Sequence, residues 1–486
     1  MLSLPDRRPT ALCDGIARRE AMRIGGLTAL GLSTSLLASI QQAATASPRP
    51  GFAANAMPNS SARATIPRNS GGRAKSVIML WLLGGPPQHE SWDPKPHAPA
   101  EVRGEFGVID SVVPGFHVGE LMPRTARLTN HIAALRAVVT KDQAHSSSGY
   151  QMLTGVPHIP LSQENVTSKV PNLSPSHAAI MRALQADHDG MPSAISLPHH
   201  IANDGEIIWP GQNAGVLGRQ YDPWLINCDP SLPQFQIPEL STPEDVSSSR
   251  LALRRSLVQQ LDEFRHMTDR RSASGRFHEK TSEAFDLIGG SAARQAFALH
   301  EEADSTRDRY GRYRFGQSTL LARRLVEAGV SLVQVNWSRV DGGANNGTWD
   351  THRDHCKSLK SFLMPMLDQT YSALIEDLRD RGLLDDTLVV WIGEFGHTPR
   401  INSVAGRDHW GNCFSIALAG GGIRGGVVHG ESDAHAAFPV SGITTPADIT
   451  STIFHCLGYS PETTLLDQTS RPIPLSRGEV IHQILH

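Results

Sequence analysis

The run Ser76-Val-Ile-Met-Leu-Trp-Leu-Leu83 constrains this chain more than any other stretch, because it carries no charge and stops at Gly84-Gly85-Pro86-Pro87. An alternating pattern would mark a strand with one wet face; an unbroken apolar run predicts a strand buried on both faces. Such a strand needs cover above and below. Similar runs recur at 331–335, Thr387–Ile392 and Phe414–Ala419. Helical spacing separates them. Leu253, Leu257, Leu261 and Phe264 share a face within 251–267, and Leu320, Leu321 and Leu325 within 317–328, with Gly329 as the stop. Within 361–381 the face is Phe362, Met366, Tyr371, Leu374, Ile375 and Leu378, with Gly382 as the stop and Pro365 marking the first turn or a kink. Strands alternating with helices need crossover connections. The expected fold is therefore α/β, in three layers, with a mostly parallel central sheet and helices on both faces. Ligands bind beyond the carboxyl ends of strands in such sheets.

The N-terminal segment reads as an address. Arg18-Arg19 precede an uncharged stretch over 24–40, rich in Gly, Leu, Ala and Ser, which leads to Ala44-Thr45-Ala46. Paired arginines, a modest apolar segment and a small-residue cleavage pattern resemble a twin-arginine export signal, so residues 1–46 are expected to be removed. Residues 47–75, rich in Pro, Ser, Ala, Asn and Arg, read as a flexible linker, and the folded domain is expected over 76–486. The product should lie in the periplasm or outside the cell, with no stable membrane span after cleavage. Lys and Arg number 45 against 48 Asp and Glu, and no basic run stands out, which argues against nucleic acid as a partner. Cys228, Cys356, Cys413 and Cys456 show no metal-finger spacing.

Three strand-end loops carry chemistry-bearing residues. After the strand at 331–335 comes Trp349-Asp350-Thr351-His352, with Asp354 and His355 behind it. After Thr387–Ile392 comes Gly393-Glu394-Phe395-Gly396-His397, and before Phe414–Ala419 comes Gly406-Arg407-Asp408-His409. Carboxylates and imidazoles in this combination suit a divalent cation, and a Glu ending an apolar strand is costly unless hydrated, paired or bound to metal. Each alone could be a cap or an exposed loop residue; the recurrence at three strands favours a site. A fourth segment, Asp142-Gln-Ala-His145-Ser146-Ser-Ser-Gly149, precedes an apolar helical start. Its serines could cap that helix, or its N-terminus could capture an anion.

These phrases are similar to those of the alkaline phosphatase and sulfatase superfamily. Thr387-Leu-Val-Val-Trp-Ile-Gly-Glu394 resembles its metal-bearing strand, His145 to Gly155 the sulfatase nucleophile segment, and Asp448-Ile-Thr-Ser-Thr452 its closing helix. Gly84-Gly-Pro-Pro-Gln-His-Glu90-Ser-Trp-Asp93, Arg307-Asp-Arg-Tyr-Gly311, Leu321-Ala-Arg-Arg-Leu325, Glu394-Phe-Gly-His-Thr-Pro399 and Gly406-Arg-Asp-His409 resemble the exported, sulfatase-like DUF1501 family. The resemblance implies an alkaline phosphatase-like fold with one or two divalent metal ions, zinc first and calcium or manganese as alternatives. It implies Asp350, His352, Glu394, His409 and His145 as metal ligands. His145 or Ser146 would hold the nucleophile position, and Arg407 or Arg400 would offset the charge of the ester oxygens. Two departures stand out. Gly84-Gly85 occupy the place of the first metal carboxylate, for which His89, Glu90 or Asp93 could substitute, and His145 lacks the surroundings in which formylglycine forms. The implied activity is metal-dependent hydrolysis of phosphate or sulfate esters of an anionic small molecule or glycan. The alternative is a divergent relative that only binds such anions or glycans.

Overall fold

The computed structural model describes residues 66–237 apart from 70 and 189–190, most of 249–260, and 291–486. The expected export signal, residues 47–65 of the linker and most of the helix expected over 251–267 lie outside the described residues.

The first apolar run forms β1, Ser76–Trp81, and all of its residues are buried. Because successive side chains point to opposite faces, this burial means that both faces of the sheet are covered here. Each fully buried Ile or Leu of such a strand contributes roughly 1.5–3 kcal/mol, so truncating Leu80 would weaken the sheet at its centre. The other strands that bear on the site, in chain order, are β2 (Ile132–Val138), β3 (Ala194–Leu197), β4 (Trp224–Leu225), β5 (Leu332–Asn336) and β6 (Thr387–Ile392). A small ribbon of β7 (Gly396–His397) and β8 (His409–Trp410) follows, then β9 (Phe414–Ala419) and β10 (Val427–His429). The main sheet has eight strands in the order β10-β2-β9-β6-β1-β5-β3-β4.

β9 runs antiparallel to both of its neighbours, β2 and β6, and the other pairings of this sheet are parallel. The reversal decides the site. The start of an antiparallel strand lies at the edge where parallel strands end, so the residues before β9 meet those that follow β2, β5 and β6.

Five helices matter for the site and its support: α1 (His145–Thr154), α2 (His177–Leu184), α3 (Arg314–Glu327), α4 (Met364–Asp380) and α5 (Pro446–Cys456). α3 buries Leu320, Leu321 and Leu325, the apolar face read from its spacing. Pro365 is the second residue of α4 and directly follows a wider turn of the preceding winding, in keeping with a break in the regular α ladder at a residue without an N–H. A short helix over His355–Ser358 and a π-turn over Leu359–Leu363 run into that helix, so the winding begins six residues before the expected start at 361. α5 opens with a capping box, in which Thr445 accepts from the N–H of Asp448 and the Asp448 carboxylate accepts from the N–H of Thr445.

The linker expectation is corrected at its C-terminal end. Ile66, Asn69, Ala74 and Lys75 donate backbone hydrogen bonds to Leu184, Gly458, Cys456 and Asp386, so this stretch is tied to the domain. The spacing of polar and small residues there resembles a tether, but the backbone N–H groups find partners in loops remote in sequence. The four cysteines of the domain are free.

Candidate metal centre

α1 follows β2, Asp350 and His352 follow β5, Glu394 follows β6, and His409 precedes β9. Asp350 Oδ1 lies 2.9 Å from His352 Nε2 and 2.9 Å from His409 Nε2, and the two imidazole nitrogens are 3.0 Å apart. The opposite nitrogens of both rings have acceptors. His352 Nδ1 donates to Asp408 Oδ1 at 2.8 Å, and His409 Nδ1 donates to the carbonyl of Gln143 at 2.7 Å. With the rings neutral, those acceptors place the N–H on Nδ1 and turn each Nε2 lone pair toward Asp350.

With both rings neutral three electron-rich atoms face one another, an arrangement relieved by a cation between them or by a proton on one ring. Tetrahedral binding at about 2.0–2.1 Å sets donor atoms about 3.3 Å apart, so an ion would need only a slight opening of this triangle. Burial opposes charge on Asp350, but hydrogen bonds from His145, His352 and His409 outweigh it and hold its carboxyl far below the usual carboxylate range. The Asp350 hydrogen bond raises His352 to about 9 against the effect of burial, so without metal a proton on this ring relieves the site. The donor set fits a divalent ion.

His145 lies beside the triangle, and His145, Asp350 and His409 also offer three ligand atoms within 4.8 Å of one another. Its Nε2 faces Asp350 Oδ2 at 3.2 Å and its Nδ1 faces Glu394 Oε1 at 2.9 Å. Burial disfavours charge on this ring, yet its bonds to Asp350 and Glu394 prevail and push it to about 10. Trp209 stacks on it at 5.7 Å, and Phe395 and His409 pack at 5.0 and 4.3 Å. Glu394 is fully buried. Its Oε1 accepts from the Gly84 N–H at 2.7 Å, while Oε2 has no protein partner. A buried carboxyl group with one oxygen left without a partner is costly in such a place.

The two glycines after β1 now have a physical reason. Gly84 has φ +108°, and a Cβ there would lie 2.2 Å from the Asp350 nitrogen. No carboxylate-bearing residue fits at that position, and its N–H serves Glu394 instead. His89, Glu90 and Asp93 do not fill the gap. His89 Nε2 bonds the His435 carbonyl, Glu90 pairs with Arg407, and Asp93 meets Lys95, Arg136 and Ser432.

Arg407 requires a correction. It is fully buried, and all five of its N–H groups are engaged, on His355, Thr398, Pro399, Glu90 and Val102. No donor remains for an ester oxygen. Arg400 pairs with Glu101 on the surface at 3.5 Å. His355 and His397 belong to the same buried neighbourhood as Arg407, their rings 5.4 Å apart, and Asp354 is exposed before a short helix.

The serines do not cap α1. Its N-cap is Ala144, whose N–H reaches Asp142 Oδ1 at 3.1 Å. Ser147 Oγ donates to the same carboxylate, Ser148 Oγ to the Glu394 carbonyl, and Ser146 Oγ accepts from Asn203 Nδ2 at 3.3 Å. Ser146 is buried and has no hydrogen bond to the triangle.

Sequence reasoning missed the anchoring roles of Asp142 and Asp408, although both stand inside quoted motifs. A carboxylate next to a candidate histidine is a usable signal for Asp408. It also missed Glu164, whose Oε1 accepts from the His145 N–H at 2.5 Å, and Asn203, which donates to Glu164 Oε2 at 3.0 Å. Neither lies in a motif.

The chain aligns with a sulfatase from Pseudoalteromonas sp. at 14% identity, over 80% of this chain and 68% of that one, with a TM-score of 0.37. It aligns with a phosphonate monoester hydrolase from Silicibacter pomeroyi at 11% identity, over 85% and 76%, with a TM-score of 0.36. A protein in the alkaline phosphatase superfamily from Vibrio parahaemolyticus aligns at 10% identity, over 80% and 68%, with a TM-score of 0.34. No curated protein matches the chain. The model of the protein family of unknown function DUF1501 matches residues 74–485, nearly the whole described domain, and the chain belongs to that family.

Proposed function

We propose that this chain is an exported, metal-dependent hydrolase of phosphate or sulfate esters. The observation that carries the reading is the triangle of Asp350 Oδ1, His352 Nε2 and His409 Nε2, whose far sides are already fixed by Asp408 and Gln143. Asp350, His352 and His409 would hold one divalent ion, zinc by its nitrogen and oxygen donors, with calcium or manganese as alternatives; His145 and Glu394 stand ready to bind at its side or to hold a second. A divalent ion held there supplies Lewis acidity toward an ester oxygen. The protein's own groups do the rest. Asp408 and Gln143 orient the two ligand rings, Trp209 and Phe395 keep water from one side of His145, and His145 carries protons at Nδ1 and Nε2 between two carboxylates. That placement supports a ligand or proton-holding role for His145 over nucleophilic attack. Export rests on Arg18-Arg19 and the Ala44-Thr45-Ala46 pattern. Among the described residues no helix is long and apolar enough to cross a membrane.

A second reading, binding of an anion or glycan without turnover, is favoured by one observation: Arg407 is spent on other partners, the hydroxyls of Ser147 and Ser148 donate to Asp142 and to the Glu394 carbonyl, and Ser146 makes no hydrogen bond to the triangle. Metal analysis of protein purified without chelator, followed by a screen of aryl phosphate, phosphonate and sulfate esters, tests both readings. Bound metal with turnover supports the hydrolase, bound metal without turnover leaves the binding protein, and absence of metal after zinc addition overturns the hydrolase.

A further inference from the structure

Three carboxylates converge on one residue. Asp350 meets His145 at Nε2, Glu394 meets it at Nδ1, and Glu164, from the loop that follows α1, accepts from its backbone N–H. The third contact is the unusual one. The first N–H groups of a helix have no helical acceptor and attract anions, and here a carboxylate of the chain itself occupies the first of them. Its position is braced. Asn203 Nδ2 donates to Glu164 Oε2 and Asn165 Oδ1, and Asn203 Oδ1 accepts from Trp209 Nε1, the indole that stacks on His145. The same loop is pinned by Ser162 N–H to Asp142 and by Gln163 N–H to Ser147 Oγ.

The second observation lies on the other side of the ring. Glu394 Oε2 is buried without a hydrogen-bond partner, which leaves an oxygen free to meet a cation beside His145. Among the described residues, no lysine or arginine bonds or pairs with His145, Asp350, His352, Glu394 or His409 through their side chains, and Arg407 is spent on Glu90. An entering ester thus meets Glu164 with no lysine or arginine among these contacts to offset its charge.

We propose that Glu164 sets the charge of the ester this site accepts, admitting monoanions such as phosphodiesters and sulfate monoesters and disfavouring dianionic phosphate monoesters. The inference rests on the ester-hydrolase reading and names its substrate class. The physical cause is like-charge repulsion, which grows with each further negative charge on the ligand.

The test uses zinc-treated protein at about pH 8 and two ligands of similar shape, methyl phosphate, a dianion, and dimethyl phosphate, a monoanion. Binding is measured by calorimetry for the wild type and for Glu164→Gln, with zinc content and thermal midpoint read on the same samples. Because Glu164 is exposed, the variant is expected to fold as the wild type does. Methyl phosphate should tighten about tenfold or more in the variant, while dimethyl phosphate changes less than about threefold. Equal gains for both ligands, or none, would overturn the proposal, as would loss of zinc from the variant, which would make Glu164 a metal ligand. Failure of zinc to bind the wild type, with the selective gain still present, would overturn the hydrolase reading alone.

Discussion

Two clusters of charge lie at the carboxyl edge of the sheet, built in part from the same motif, and they have opposite characters. In the first, Glu90, Arg407 and His355 are fully buried, and every N–H of the arginine has an acceptor. In the second, Asp350, His352 and His409 point electron-rich atoms at one another, and Glu394 has an oxygen with no protein partner. Gly406-Arg407-Asp408-His409 feeds both: Arg407 turns inward to Glu90, while Asp408 and His409 turn to the triangle. Glu90 Oε2, like Glu394 Oε2, has no hydrogen-bond partner, but Arg407 gives its cluster an internal cation; a cluster so paired holds the fold together, whereas one without such a cation is prepared to receive it.

The largest effect should come from the cation-seeking cluster. Asp350→Asn removes the charge at the centre of the triangle, and retained zinc should fall by more than about a hundredfold in affinity, read by metal analysis after dialysis. If zinc stays, the distinction between the clusters fails. Arg407→Met should act on stability instead. It leaves Glu90 buried and unpaired, at a cost of about 3–5 kcal/mol in denaturant unfolding, with zinc stoichiometry unchanged in the folded fraction. Loss of zinc at full stability would reverse the assignment. Asp408→Ala frees the His352 ring without removing a ligand, and a drop of about 10–100-fold in zinc affinity is expected, with the count of ions preserved.

The smallest effect is a difference of sign with pH, followed as thermal midpoint in chelator. His89, beside the self-satisfied cluster, is lowered to about 4 by burial first and by Arg407 second. The unfolded chain then takes up a proton near pH 6.5 that the folded chain refuses until about pH 4, so stability falls as pH drops through that window. His352 is raised to about 9. Its contribution is fully present below about pH 6.5 and is lost as pH rises toward 9. His89→Gln should flatten the acid limb and His352→Gln the alkaline limb; a single limb in both variants would mean that the clusters do not titrate separately.

Much of the fold was legible because burial on both faces leaves a continuous apolar run, and β1, β5, β6 and β9 each follow one. Glu394 could be singled out for a related reason, since a charged residue just past such a run must answer for its burial, whereas Asp350, His352 and His409 were singled out only as Asp and His recurring in loops that flank the strands. The direction of β9 was not legible, since a strand buried on both faces reads the same in either orientation, and that direction is what carries His409 to the other ligands. Arg407 and His409 stand two residues apart in one motif, so spacing gave them one role, but β8 turns His409 toward the site while Arg407 enters the core.

The sequence by itself determined the layers, the strand ends and the types of ligand, because those follow from hydrophobic pattern and from the chemistry of each side chain. The tertiary structure alone decided which charges are compensated. It spent Arg407 on Glu90, closed Gly84 to a carboxylate, brought Asp408 behind His352, and set Glu164 on the first amide of α1. Those partners come from segments far apart in the chain, and only the packed sheet fixes their distances.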